Sequence, residues 1–112
     1  MKAHELLNSP EAWCQGSPAE DAYGNKVAAV HPDAVKWCAL GAIQRAYPPS
    51  KWEEAMDDLL RSLSYSEQGL ARMNSSDKAC SLMEWNDDDR SSFSEVRKVL
   101  LSFDTCDCPK AL

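Results

Sequence analysis

Cys38, His31 and Asp87 are residues whose types could supply a nucleophile, a general base and an orienting acid. A cysteine nucleophile needs an imidazole within hydrogen-bond reach and a third group, here Asn86 or Asp87, to hold that imidazole in place. The spacing is unfavourable. His31 and Cys38 lie seven residues apart, which is about 10 Å along a helix axis if one helix carries both. That exceeds the roughly 3 Å of a direct proton transfer. Apolar neighbours on both sides of Cys38 would also hold its thiol protonated. A buried structural thiol is therefore the preferred reading, and a small hydrolase or transferase built on Cys38 is the alternative.

Metal chemistry has less support. Of the five cysteines, Cys106 and Cys108 form the one close pair, while His4, Cys14, His31, Cys38 and Cys80 are scattered. Tetrahedral zinc needs four ligands, so a lone Cys-x-Cys does not define a site. The Asp87-Asp88-Asp89 run lacks the glycine and terminal glutamate of a calcium-binding loop. No metal and no cofactor is expected.

Binding is better represented than catalysis. Trp37 and Trp52 continue apolar stripes, whereas Trp13 and Trp85 fall outside them and are candidates for binding anchors. Glu53, Glu54, Asp57 and Asp58 form an acidic strip, and Asp87, Asp88 and Asp89 an acidic loop. With 12 basic against 18 acidic residues the net charge is −6 and the pI about 4.8. Such a surface repels phosphate backbones and anionic lipid and attracts a protein with a basic surface. Direct nucleic-acid binding and membrane binding are not expected. No stretch approaches the roughly 20 apolar residues of a membrane span. The Met1–Leu7 start lacks the apolar run of a signal peptide, so a reducing, cytoplasmic location is expected.

These residues must be positioned by elements that the patterning predicts to be helical. Ala3, Leu6 and Leu7 open a short helix that Asn8-Ser9-Pro10 stops. From Trp13 to Val30 the periodicity lapses, and Asp21-Ala22-Tyr23-Gly24-Asn25 has the chemistry of a turn, leaving room for a small hairpin within residues 19–27. His31-Pro32-Asp33 reads as the start of a central helix running to Tyr47, apolar nearly all round. Gly41 inside it implies close approach of another backbone, and with Ala39 and Ala42 it makes a thin face that could also serve an oligomer. Ser50 and Glu53 suggest a capping box for an amphipathic helix carrying Trp52, Ala55, Met56, Leu59, Leu60 and Leu63. A brief helix over Ala79–Met83 and a last one through Phe103, with Ser92 and Glu95 suggesting a second capping box at its start, complete the expectation: one all-α domain of four or five helices over residues 1–104, with a loose tail over 105–112.

Three stretches carry a resemblance. Trp13-Cys14-Gln15-Gly16 with Ala19-Glu20-Asp21-Ala22-Tyr23-Gly24, then Trp37-Cys38-Ala39-Leu40-Gly41-Ala42, then Trp85-Asn86-Asp87, together resemble a family of small uncharacterised proteins from bacteria and their phages. Asp88, Asp89 and Arg90 replace the Pro-Gly turn of that family's pattern. The resemblance implies kinship and no activity. Joined to the acidic charge, it leads to the expectation of a non-enzymatic accessory or inhibitory factor, phage-encoded and acting on a host protein such as a defence-system component.

Overall fold

The computed structural model describes residues 2–104, and the expected loose tail, 105–112, lies outside them. The described residues form six α-helices and a three-stranded sheet, which corrects the all-α class to a mixed, mainly helical one. In chain order the elements are α1 (Ala3–Leu6), β1 (Ala19–Glu20), β2 (Lys26–Val27), β3 (Lys36–Trp37), α2 (Ala39–Ala46), α3 (Trp52–Ser62), α4 (Glu67–Ala71), α5 (Ser75–Asp87) and α6 (Phe93–Asp104).

The class changes within the expected central helix. His31-Pro32-Asp33 closes a turn, with Asp33 N donating to His31 Nδ1 (3.0 Å) and Ala34 N to His31 O (3.1 Å). Val35 N then donates to Glu20 O at 2.9 Å. Donors that a helix would send to carbonyls four residues back thus go to the turn and to a neighbouring strand. Lys36 and Trp37 follow as β3, and the helix begins only at Ala39. Three successive residues, Val35, Lys36 and Trp37, include a β-branched and an aromatic side chain, which suit a half-buried strand.

The small hairpin does form. β1 lies at the centre of the sheet, antiparallel to β2 (Ala19 opposite Val27) and to β3 (Ala19 opposite Trp37). Gly24, at φ +83°, makes the turn between β1 and β2. Beyond β3 the sheet is extended by a single parallel bridge from Trp13 to Trp37.

Around α2 pack α1, α3 and α5, while α6 closes the far side against α1 and α3. In α3 the buried residues are Ala55, Met56, Leu59 and Leu60, as the spacing predicts. Its expected capping box does not form. Pro49–Lys51 makes a 3-10 turn instead, leaving Lys51 at the N-cap with no side-chain hydrogen bond. The cap expected for the last helix is present, Glu95 N donating to Ser92 Oγ at 3.2 Å.

Gly41 meets a close backbone, and that backbone is the chain's own. A Cβ placed there would lie 1.8 Å from the carbonyl oxygen of Pro18. The same carbonyl accepts from Cys38 N at 3.1 Å, so the approach is fixed by a hydrogen bond. Ala39, Gly41 and Ala42 are all buried, and the thin face is filled from within. Gly41→Ala should therefore lower stability by roughly 2–3 kcal/mol, since backbone must shift to admit one methyl group. Gly69→Ala, whose Cβ would meet only the Ser66 hydroxyl at 3.2 Å, should stay within about 1 kcal/mol of the parent. Urea denaturation of the two variants tests this, and equal midpoints would refute the close approach.

Candidate functional site

The three stretches that carry the family resemblance converge on Asn86, a fully buried residue in the last turn of α5. Trp13 Nε1 and Ala39 N both donate to Asn86 Oδ1, at 2.8 and 3.0 Å. Asn86 Nδ2 donates to Cys14 O and to Asp87 Oδ1, each at 3.0 Å. A primary amide has two N–H donors and an oxygen that accepts twice, so its whole capacity is used. Around it, Gln15 Nε2 donates to Asn86 O (2.9 Å), Gly16 N to Asp87 Oδ1 (3.0 Å) and Cys14 N to Trp37 O (3.2 Å). Ala39 N is one of the first-turn donors of α2 that the helix itself cannot satisfy. Asn86 thus caps one helix from the end of another.

Cys38 is also a cap. Contrary to the expected mid-helix position, it precedes α2, and its sulfur accepts from Gly41 N at 3.3 Å. A helix N-terminus favours a thiolate, yet Cys38 is 1% exposed and burial pushes its thiol up to about 11. Burial likewise pushes the Cys14 thiol up to about 12. His31, by contrast, is exposed, and its Nδ1 accepts from Asp33 N. No hydrogen bond joins Cys38, His31 and Asp87 among the described residues; Asp87 Oδ1 instead holds Gly16 and Asn86. Nor do the described residues gather three metal-ligating side chains.

The residues expected to bind a partner are distributed differently. Trp13 and Trp85 are half-buried against the core, and Trp13 has its indole N–H on Asn86. The acidic strip is largely paired. Asp57 holds Lys78 at 2.8 Å and Glu53 lies 3.7 Å from the same nitrogen, a clasp between α3 and α5 in which Lys78 is only 5% exposed. The Ser75 hydroxyl and Lys78 keep the Glu53 carboxyl below its ordinary range. Asp58 pairs with Arg61 (2.7 Å), Glu54 lies 3.7 Å from Lys51, and Asp88 pairs with Arg90 (3.1 Å). Asp89 stands exposed at the surface. Asp87, expected in an acidic loop, lies with Trp85 and Asn86 in the C-terminal turn of α5.

The chain belongs to DUF6197, a family of unknown function. The family model matches residues 1–102. No curated protein and no solved structure matches the chain. In this DUF6197 member the matched stretches build an internal junction, and one large side chain within them stands apart. Tyr23 is 91% exposed.

Tyr23 borders a surface cleft of about 370 Å³ lined by Asp21, Ala22, Tyr23, Pro32, Asp33 and Val35. Val35 is itself exposed, as is Val30 on the same connecting segment between β2 and β3. The sequence pattern predicts a turn within a small hairpin for Asp21–Asn25 and assigns Pro32, Asp33 and Val35 to the central helix, so it does not bring the two sides of the cleft together. A tyrosine two residues after the aspartate of a tight turn has little to pack against, and that was the available signal.

Two outcomes follow from the junction. Asn86→Ala should cost roughly 3–5 kcal/mol, because it leaves buried donors on Trp13 and Ala39 and an acceptor on Cys14 unsatisfied. Thermal melting measures this, and a loss below about 1 kcal/mol would show that the junction is dispensable. Iodoacetamide at neutral pH should modify exposed Cys80 while sparing Cys14 and Cys38 in the native protein. Rapid alkylation of Cys38, read by peptide mass spectrometry, would restore the nucleophile.

Proposed function

We propose that this DUF6197 chain is a non-enzymatic binding protein that engages a protein partner through the face carrying Tyr23 and Val35. The exposure of Tyr23 carries the reading. An aromatic side chain left 91% in solvent, beside exposed Val35 and a cleft, adds nothing to the folded monomer's core and is the composition of a binding anchor. The Cys38 reading loses support from burial and protonation of both Trp-Cys thiols.

A partner with a basic surface fits the net charge of −6. The acidic strip on α3 supports this only as a long-range field, since its carboxylates already pair with Lys51, Arg61 and Lys78. The biological role that matches is an accessory or inhibitory factor of bacterial or phage origin, acting in the cytoplasm on a host protein such as a defence-system component. No helix among the described residues is long and apolar enough to cross a membrane.

Affinity capture from a native bacterial lysate tests the proposal. A specific protein should be retained by the parent chain, and Tyr23→Ala should weaken that retention at least about 10-fold without lowering the melting temperature, as for an exposed anchor. Retention unchanged by Tyr23→Ala and Val35→Ser together would move the interface elsewhere, and consistent failure to retain any protein would remove the reading.

A further inference from the structure

The cleft beside Tyr23 opens at the end of the central strand, between two segments that hydrogen bonds hold in place. On one side the Asp21 carboxylate accepts from Tyr23 N and Asn25 N (each 2.9 Å) and from Asn25 Nδ2 (3.1 Å), while Gly24 N donates to Asp21 O at 3.1 Å. On the other side, Val35 N is tied to Glu20 O and Asp33 N to His31 Nδ1. Between them the walls are Ala22, Tyr23, Pro32 and Val35, and the charged residues of the lining, Asp21 and Asp33, are both acidic. The hydrogen bonds from Asn25 and Tyr23 also hold the Asp21 carboxyl below its ordinary range, so it remains an anion in mildly acidic solution.

Taking the binding reading as given, we propose that this cleft receives a lysine or arginine side chain from an extended basic segment of the partner protein. Charge complementarity selects the occupant. A cation is attracted by both carboxylates, its aliphatic stem covers the walls of Val35 and Pro32, and its head can lie over the Tyr23 ring. An anionic segment meets two like charges there, and a purely apolar one partly desolvates both carboxylates without supplying a counter-charge.

The probes are two short peptides, acetyl-Val-Lys-Val-amide and acetyl-Val-Glu-Val-amide, titrated to about 10 mM into the full ¹⁵N-labelled chain and followed by amide chemical shifts. Exposed ion pairs are weak, so a dissociation constant on the order of 1 mM is expected for the lysine peptide. The shifts should centre on residues 21–23 and 33–35, and the lysine peptide should bind at least about 5-fold tighter than the glutamate peptide. Asp33→Asn should weaken that preference by about 2-fold or more, the Asp21 carboxylate remaining. Asp33 is chosen because its side chain is exposed and its turn is held through its backbone N–H, so the variant keeps the fold. Equal binding of the two peptides, shifts centred elsewhere, or no shifts at all would overturn the proposal. The two readings fail separately: partner capture that is lost in Tyr23→Ala but untouched by Asp33→Asn preserves the binding face and excludes the cationic occupant.

Discussion

A fully buried carboxamide is tolerated only when each of its hydrogen-bonding positions is met, and in this fold that condition is imposed at Asn86. Its four bonds reach Trp13, Cys14, Ala39 and Asp87, which belong to the N-terminal segment, the start of α2 and the end of α5. The partners also fix the orientation of the amide. Indole and backbone N–H groups can only donate and a backbone carbonyl can only accept, so a flipped Asn86 would bring donor against donor and acceptor against acceptor. An interaction with one satisfied geometry sets the register of all three segments together. Hydrophobic packing around α2 supplies most of the driving force, but it is non-directional. The amide network is what excludes sliding of the 13–16 segment along the helix.

The same burial that makes Asn86 restrictive quiets the neighbouring thiols. Cys38 occupies the helix N-cap, a position that in an open site would favour the thiolate, and desolvation outweighs it. Lys78 is the converse case. It is nearly as buried, yet its charge is retained because Asp57 and Glu53 face it across α3 and α5, and its pKa rises. Two carboxylates that look like a docking surface in sequence are thus the counter-ions of a buried ammonium. Removing either partner of such a pair is costly because the other is left uncompensated.

What could be read from the sequence follows from where polar residues fall. The stripe of α3 is purely apolar and was legible, as were the Ser92 cap and the close approach at Gly41. The core-facing stripe of α5 is Lys78, Leu82 and Asn86, so two of three inward positions are polar and the period was hidden, leaving only a brief helix to be expected there. Of the sheet, the hairpin was foreseen only as possible and β3 was missed, for a different reason. Its strands are two residues long, below the length at which alternation can be distinguished from noise, and β3 sits directly against an apolar helix whose pattern extends through it. The cleft depended on that error: with 31–37 taken as helix, Val35 and Asp33 could not be placed opposite Tyr23. The acidic strip was legible as a strip, but its pairing with Lys78 required knowing that α5 is long enough to bring that lysine alongside α3.

On the proposed binding reading, the relation between junction and cleft bears on how an exposed turn could serve recognition. Loops that order only on binding lose affinity to the entropy of ordering. Here β1 is anchored at its start, where Pro18 O bonds Cys38 N and Pro18 lies on Gly41, and at its end, where Glu20 O accepts from Val35 N and Asp21 gathers the turn. Trp37, bridged to Trp13 and paired with Ala19, ties the third strand to the same support, and its indole N–H reaches Ala29 O at 3.0 Å on the connecting segment. Arg45 from α2 bonds the carbonyls of Ala29 and His31 on that segment as well (3.4 and 3.1 Å). Each wall of the cleft is therefore held by backbone or side-chain bonds that run back to α2 and, through Ala39, to Asn86. The buried network thus supports the backbone of the Tyr23 turn and of the Val35 segment, so that on the proposed binding reading little ordering would remain to be done when a partner binds.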